Sequence, residues 1–237
     1  MLRICALNED SDDSSSCSDN ENASEPKDAE TAILSEYLDA LKLKDQNQLD
    51  KALAAFLKLI DSEVLINITN DAQNKLFMIK YNCHRNIGLI YKEKNDSYLA
   101  LEHLCKAVDM DETDVYTVYS LAKLAFSIGQ IHIAKICYEK CVARNPDHWP
   151  SLEGLLQLFC ETGNVIEAFA WAMHCYRKDS TYKGAINVLA EIKTYFLPTV
   201  PFLEELFQVT FRKDEALKQC TITSKHGYFL PRLLDIS

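Results

Sequence analysis

Six histidines and nine cysteines in 237 residues could hold a metal, so their spacing is the first chemistry to test. Zinc sites draw donors from close pairs such as C-x2-C, because two donors on one tight turn reach the same ion. The cysteines stand at 5, 17, 83, 105, 137, 141, 160, 175 and 220, and no two have that spacing. His103 lies beside Cys105, and Cys137 precedes Cys141 by one helical turn, but neither pair has a second pair to complete a site. Cysteines in helical apolar pattern read as small core residues. Covalent catalysis fares no better: G-x-S-x-G, H-E-x-x-H and G-x-x-x-x-G-K are all absent. With only 6 glycines, loops that cradle phosphate are not expected. The reading is a chain with no cofactor, no metal site and no catalytic residues.

Two serines carry a different chemistry. Ser16 and Ser18 each have a carboxylate three positions on, at Asp19 and Glu21, the pattern of an acidophilic kinase site. Each phosphate would add about −1.5 to −2 charges. They lie in an acidic stretch: from Glu9 to Glu30 nine carboxylates stand against Lys27 alone, which accounts for −8 of the net −10. Such a segment buries too little apolar surface to offset the entropy of ordering, so residues 1–30 are expected to be a short apolar start followed by a disordered acidic, serine-rich tail. The remainder is near neutral and shows no Lys/Arg cluster, so direct nucleic-acid binding is not expected. No apolar run approaches the ~20 residues of a membrane span. An odd cysteine count with no secretory leader argues against a disulfide framework and for the reduced cytosol or nucleus.

The elements that must position any site are helical. Six glycines and six prolines are too few for the turns of an all-β fold. Ile33, Tyr37, Ala40, Leu41 and Lys44 fall at helical intervals, and LDKALAAFLKLI (49–60) repeats the pattern after a polar break, which predicts a helix hairpin. Further on, the hairpins recur every 34 residues: Ala100, Ala134 and Ala168; Ile87, Leu121 and Leu155; Gly88, Ala122 and Leu156; Tyr91, Ala125 and Phe159; Leu104, Tyr138 and Ala172. These columns resemble the tetratricopeptide repeat, with its small residues at the helix crossing and an aromatic filling the hole beside it. The resemblance implies an all-α superhelical solenoid over residues 31–182, with units at 33–66, 81–114, 115–148 and 149–182 and an insertion near 67–80. Leu156 is bulky where the repeat prefers Gly or Ala, which predicts a looser last crossing. Residues 183–220 are expected to be capping helices, the first over 183–196, and 221–237 an irregular tail.

In that fold the first helix of each pair lines the concave side. Its exposed positions hold Arg85, Lys92, Tyr116, Tyr119 and Lys123, aromatic and cationic groups that suit an acidic extended peptide. The chain's own acidic tail is one candidate occupant. The clamp by which some repeats grip heat-shock-protein tails needs Lys, Asn, Asn, Lys and Arg at fixed positions. Here those positions hold Arg85, Leu89, Ser120, Pro150 and Gly154, and one unit earlier Tyr37, Leu41, Asn86, Tyr116 and Ser120, so that clamp is not expected.

Two strings narrow the family. MLRICALNE (1–9) and ARNPDHWPSLEGL (143–155) resemble the N-terminal repeats of cabin-type calcineurin-binding proteins. The resemblance implies a nuclear scaffold subunit of the HIRA-type histone chaperone complex, which deposits histones independently of DNA replication, with that complex's other subunits as partners. The calcineurin-binding part of that family lies far downstream of its repeats and matches nothing here. A generic cytosolic adaptor or co-chaperone stays open as the alternative.

Overall fold

The turn residues fix the architecture before any core contact does. Asn47, Asn95, Gly129 and Gly163 have positive φ, between 59° and 77°, the left-handed conformation that glycine and asparagine tolerate best. Each follows the end of a helix and reverses the chain. The N–H of the next residue reaches back to a carbonyl five residues earlier: Gln48 to Leu43, Asp96 to Tyr91, Gln130 to Ala125 and Asn164 to Phe159, at 2.8–3.0 Å. These are Schellman-type closures, which satisfy carbonyls that a helix end leaves unpaired. Those same residues then stand at the N-cap of the following helix, where the Asp96 and Asn164 side chains accept the N–H of Leu99 and Glu167.

The computed structural model describes residues 25–68 and 74–196. The helices are α1 (Glu25–Asp45), α2 (Leu49–Ile60), a single turn α3 (Glu63–Ile66), α4 (Lys75–Glu93), α5 (Ser97–Met110), α6 (Val115–Ser127), α7 (Ile131–Arg144), α8 (Trp149–Glu161), α9 (Val165–Lys178) and α10 (Lys183–Glu191). A π-helical turn, Ile192–Phe196, continues α10. No strand occurs among the described residues. Successive helices pack antiparallel as pairs, α1 with α2, α4 with α5, α6 with α7 and α8 with α9, and each pair stacks on the next. The fold is the all-α tetratricopeptide solenoid expected from the repeat.

Pairs are joined by a second recurring device. Asp111, Asn145 and Asp179 end their helices in extended conformation. The Asp111 carboxylate accepts the N–H and hydroxyl of Thr113 at 2.8 and 2.6 Å. Asp179 does the same with Thr181 at 2.8 and 2.6 Å. Asn145 accepts the N–H of Asp147. Such local side-chain bonds stop one helix and aim the chain into the next.

Packing follows the columns. Ala100, Ala134 and Ala168 are fully buried at the crossings, as are Ala52 and Phe56 in the first pair. A Cβ on Gly88 would lie 2.7 Å from Leu104 Cγ and 3.1 Å from the Leu104 backbone nitrogen. We expect Gly88→Val to cost about 2 kcal/mol through overpacking, read as a lowered urea midpoint with an unchanged m-value. An unchanged midpoint would show that α5 gives way freely. Leu156 is fully buried in the same column, and α8 and α9 share a less extensive contact than α4 with α5 or α6 with α7. Buried apolar residues form two clusters, one over α1–α4 and one over α5 to the π-helical turn, and Tyr91 packs against both.

Three expected boundaries meet a different structure. The acidic segment expected to be disordered up to residue 30 yields to helix from Glu25. Pro26 falls in the first turn, where a missing N–H costs nothing. The stretch expected as an insertion near 67–80 is helical from Lys75, because Asn74 caps the Leu76 N–H and Leu76, Phe77 and Ile79 are buried. The helix expected over 183–196 is α-helical only to Glu191. The sites at Ser16 and Ser18, the acidic tail up to Asn22–Ser24, and residues 197–237 lie outside the described residues.

Candidate functional site

The concave face is built by α4, α6 and α8, and its anchor is Asp114. This residue caps α6, accepting the N–H of Tyr116 and Thr117 at 3.0 and 3.4 Å. It also accepts the hydroxyls of Tyr81 and Thr117 at 2.7 and 2.8 Å, which ties α4 to α6. Burial alone would raise the Asp114 carboxyl, but these hydrogen bonds outweigh it and hold the group below its ordinary value. Arg85 points its Nε at the same carboxylate, 3.6 Å away. Of the five residues expected on this face, Arg85 is therefore engaged within the protein.

The other four divide between rim and cavity. Tyr116 is 72% exposed and sits edge-on to His148, with ring centroids 6.4 Å apart. Tyr119 also packs edge-on to His148, at 5.1 Å, and against Tyr138 at 6.1 Å. His148 is held by Ser151, Nδ1 to Oγ 2.8 Å. Tyr119 and Lys123 line a cavity of about 510 Å³ between α6 and α8. Buried Tyr138 is its floor, and Tyr138 has room only because residue 154 is glycine: a Cβ there would lie 2.5 Å from the ring. Lys92 is half-buried at the end of α4. Burial lowers its ammonium below the ordinary value, and the neighbouring Lys123 charge adds to that.

The opposite wall carries carboxylates. Glu153, Gln157 and Glu161 of α8 line the same cavity, and Gln157 donates to Glu161 at 2.7 Å. The sequence reading did not include this wall or the Tyr138 floor, although the 34-residue phase contains it. Moving one unit along from Arg85 gives Tyr119 and then Glu153, so a single column runs from cation through aromatic to carboxylate.

The donors weighed for metal are used otherwise. His103 meets not Cys105 but His84 of α4, with Nδ1 atoms 3.1 Å apart. It also packs on Tyr91, at a centroid distance of 5.9 Å. One ring must donate and the other accept, so the two cannot both be charged, and burial lowers both below the ordinary histidine value. Burial foremost, then His103 and the charges of Lys106 and Lys80, push His84 down to about 4. Cys137 and Cys141 are buried in the core, and burial raises the Cys137 thiol to about 11. Among the described residues no three His, Cys, Asp or Glu side chains cluster as a metal site would need.

A stack of capped helix pairs with a lined concave face defines a tetratricopeptide-repeat solenoid, and solved structures agree on the fold. YrrB, described as a tetratricopeptide protein with an unusual peptide-binding site, superposes at a TM-score of 0.56, with 17% identity over 83% of this chain and 95% of its own. A MamA structure gives 0.55 at 17% identity, over 77% of this chain and 96% of that one. A repeat protein of Parabacteroides merdae gives 0.57 at 15% identity, over 79% and 70%.

The CABIN1 N-terminal domain family matches residues 30–195, and the chain belongs to that family. Calcineurin-binding protein 1 of Arabidopsis thaliana is 26% identical over 196 residues, which is 79% of this chain and 10% of that protein. The chain thus spans about a tenth of this relative's length. No described helix is long and apolar enough to cross a membrane. Family and fold make the chain a tetratricopeptide-type helical solenoid of the CABIN1 N-terminal domain family.

Proposed function

We propose that the chain is a non-catalytic assembly subunit whose α4–α6–α8 face docks an extended segment of a partner protein, in the nucleus, as part of a HIRA-type histone chaperone complex for replication-independent nucleosome assembly. Supporting the docking is the cavity beside Tyr119, Tyr138 and Lys123, a concave site with an aromatic floor and a few charges, the make-up of a peptide pocket. Family membership supports the complex. The residues that carry the docking are Tyr116, Tyr119, Lys92 and Lys123, with Arg85 holding α4 to α6 through Asp114.

Affinity capture from nuclear extract, read by mass spectrometry, tests both parts. The full chain is expected to recover subunits of the histone chaperone, and the Tyr119→Ala/Lys123→Glu variant to lose them. Recovery that the variant leaves unchanged would move the contact off this face. Recovery of heat-shock proteins alone would favour a cytosolic adaptor instead.

A further inference from the structure

We propose that an apolar groove between α1 and α4 is the docking site of the chain's own N-terminal segment, residues 1–8. This groove is separate from the α6–α8 cavity of the docking reading above, so either can fail without the other.

The groove exists because two helices are longer than the repeat requires. In the later pairs the first helix, α6 or α8, has 13 residues. Helix α1 has 21 and α4 has 19. Both start early: α1 begins at Glu25 where its unit is expected from residue 33, and α4 begins at Lys75 where its unit is expected from residue 81. Between them lies a cavity of about 360 Å³, walled by Leu34 of α1 and by Leu76, Met78 and Ile79 of α4. Its lining has one charge of each sign, Glu30 and Lys75. The inner side of these helices is already filled, because Ile33, Leu76 and Ile79 are buried in one cluster with Leu65 of α3. The outer side is not. Leu34 is 45% exposed on the groove, and Leu38, one turn on, is 46% exposed. A single exposed leucine is ordinary, but two on one stripe beside an apolar cavity mark a binding surface.

Chain length and composition select the occupant. The described residues start at Glu25, and Glu30 lies only about 8 Å further along α1. Residues 9–24 carry just Cys17 and Ala23 as apolar side chains, so that stretch has little to bury. Residues 1–8 differ: Met1, Leu2, Ile4, Cys5, Ala6 and Leu7 are all apolar. Sixteen residues join this segment to α1, a reach of up to ~50 Å, ample for it to turn back onto the groove. A tether of that length holds the segment at about millimolar effective concentration, so a weak apolar contact suffices. The segment's one charged side chain, Arg3, finds a counter-charge in Glu30.

Cysteine trapping in the full chain tests this, because the sequence supplies its own control. Cys5 lies in the docking segment, and Cys17 lies between it and α1. A further thiol is placed on one wall or the other, Leu34→Cys or Met78→Cys, in a glutathione redox buffer, and disulfides are mapped by mass spectrometry. Leu34 is exposed, so its exchange leaves the core intact. Tethering alone favours Cys17, which closes the shorter loop. Docking is expected to reverse that order, with Cys5 trapped about tenfold more than Cys17 from at least one wall. Ile4→Asp should abolish the preference. Trapping of Cys17 as much as Cys5, or a Cys5 preference that Ile4→Asp leaves unchanged, overturns the proposal. So do disulfides between two molecules, which would give the groove to a second copy. None of these outcomes bears on capture by the α4–α6–α8 face.

Discussion

Replacing Tyr138 by alanine is expected to cost roughly 3–5 kcal/mol, as the loss of a buried aromatic does, and to lower the melting temperature by about 10 °C in a domain of this size. Tyr138 is only 3% exposed. It packs on Tyr119 of α6 and on the bare backbone of Gly154 in α8. It thus joins three helices of two successive pairs. The same truncation removes the floor of the concave cavity. Peptide capture should therefore fail even at temperatures where circular dichroism shows the chain folded. Tyr138→Phe keeps the ring and should cost less than about 1 kcal/mol. A melting temperature lowered by only a degree or two in the alanine variant would mean that α6 and α8 close over the gap.

A second large effect is expected on acidification. The His84–His103 pair is neutral in the folded chain, with His84 pushed down to about 4 and His103 also lowered, in both cases chiefly by burial. Above the ordinary histidine value near 6.5, folded and unfolded rings are both neutral and pH has no hold on the pair. Below it the unfolded chain takes up protons that the folded chain refuses. The contribution is thus fully present above about 6.5 and is lost as pH falls from there towards 4. For His84 this amounts to on the order of 3 kcal/mol. Lys80 and Lys106 reinforce the effect and Glu102 opposes it. Urea unfolding of wild type and His84→Gln at stepped pH isolates the pair from the carboxylates that titrate in the same range. The variant should lose much of the slope between pH 6.5 and 4, and parallel curves would refute the assignment.

How much was legible depends on how far apart the partners lie in sequence. Ala100, Ala134 and Ala168 announce the solenoid because each repeat meets a neighbour built on the same packing columns, so one spacing carries the whole architecture. The helix from Lys75 was hidden because Leu76, Phe77 and Ile79 precede the register of the other units and belong to none of its columns. The start at Glu25 was hidden because acidic composition serves a disordered tail and a helix N-terminus alike. His84 and His103 each look like ordinary core residues, and only the α4–α5 crossing makes them partners. On the groove, the cationic and aromatic half was visible as residue types. The acidic half required following Arg85 through Tyr119 to Glu153, which is a statement about phase rather than composition.

The recurring turns carry a consequence for how such a chain can grow. Asp111 and Asn145 end successive pairs with the same local bond, while Asn95, Gly129 and Gly163 reverse the chain within each pair in the same way. A segment running from residue 111 to 144 therefore begins and ends on equivalent chemistry. Copied in tandem, it joins its neighbours with every cap intact and every small residue at its crossing. Gene duplication can lengthen this protein by whole units without inventing a new junction, and each added unit extends the concave face by one more helix whose outward residues are free to diverge.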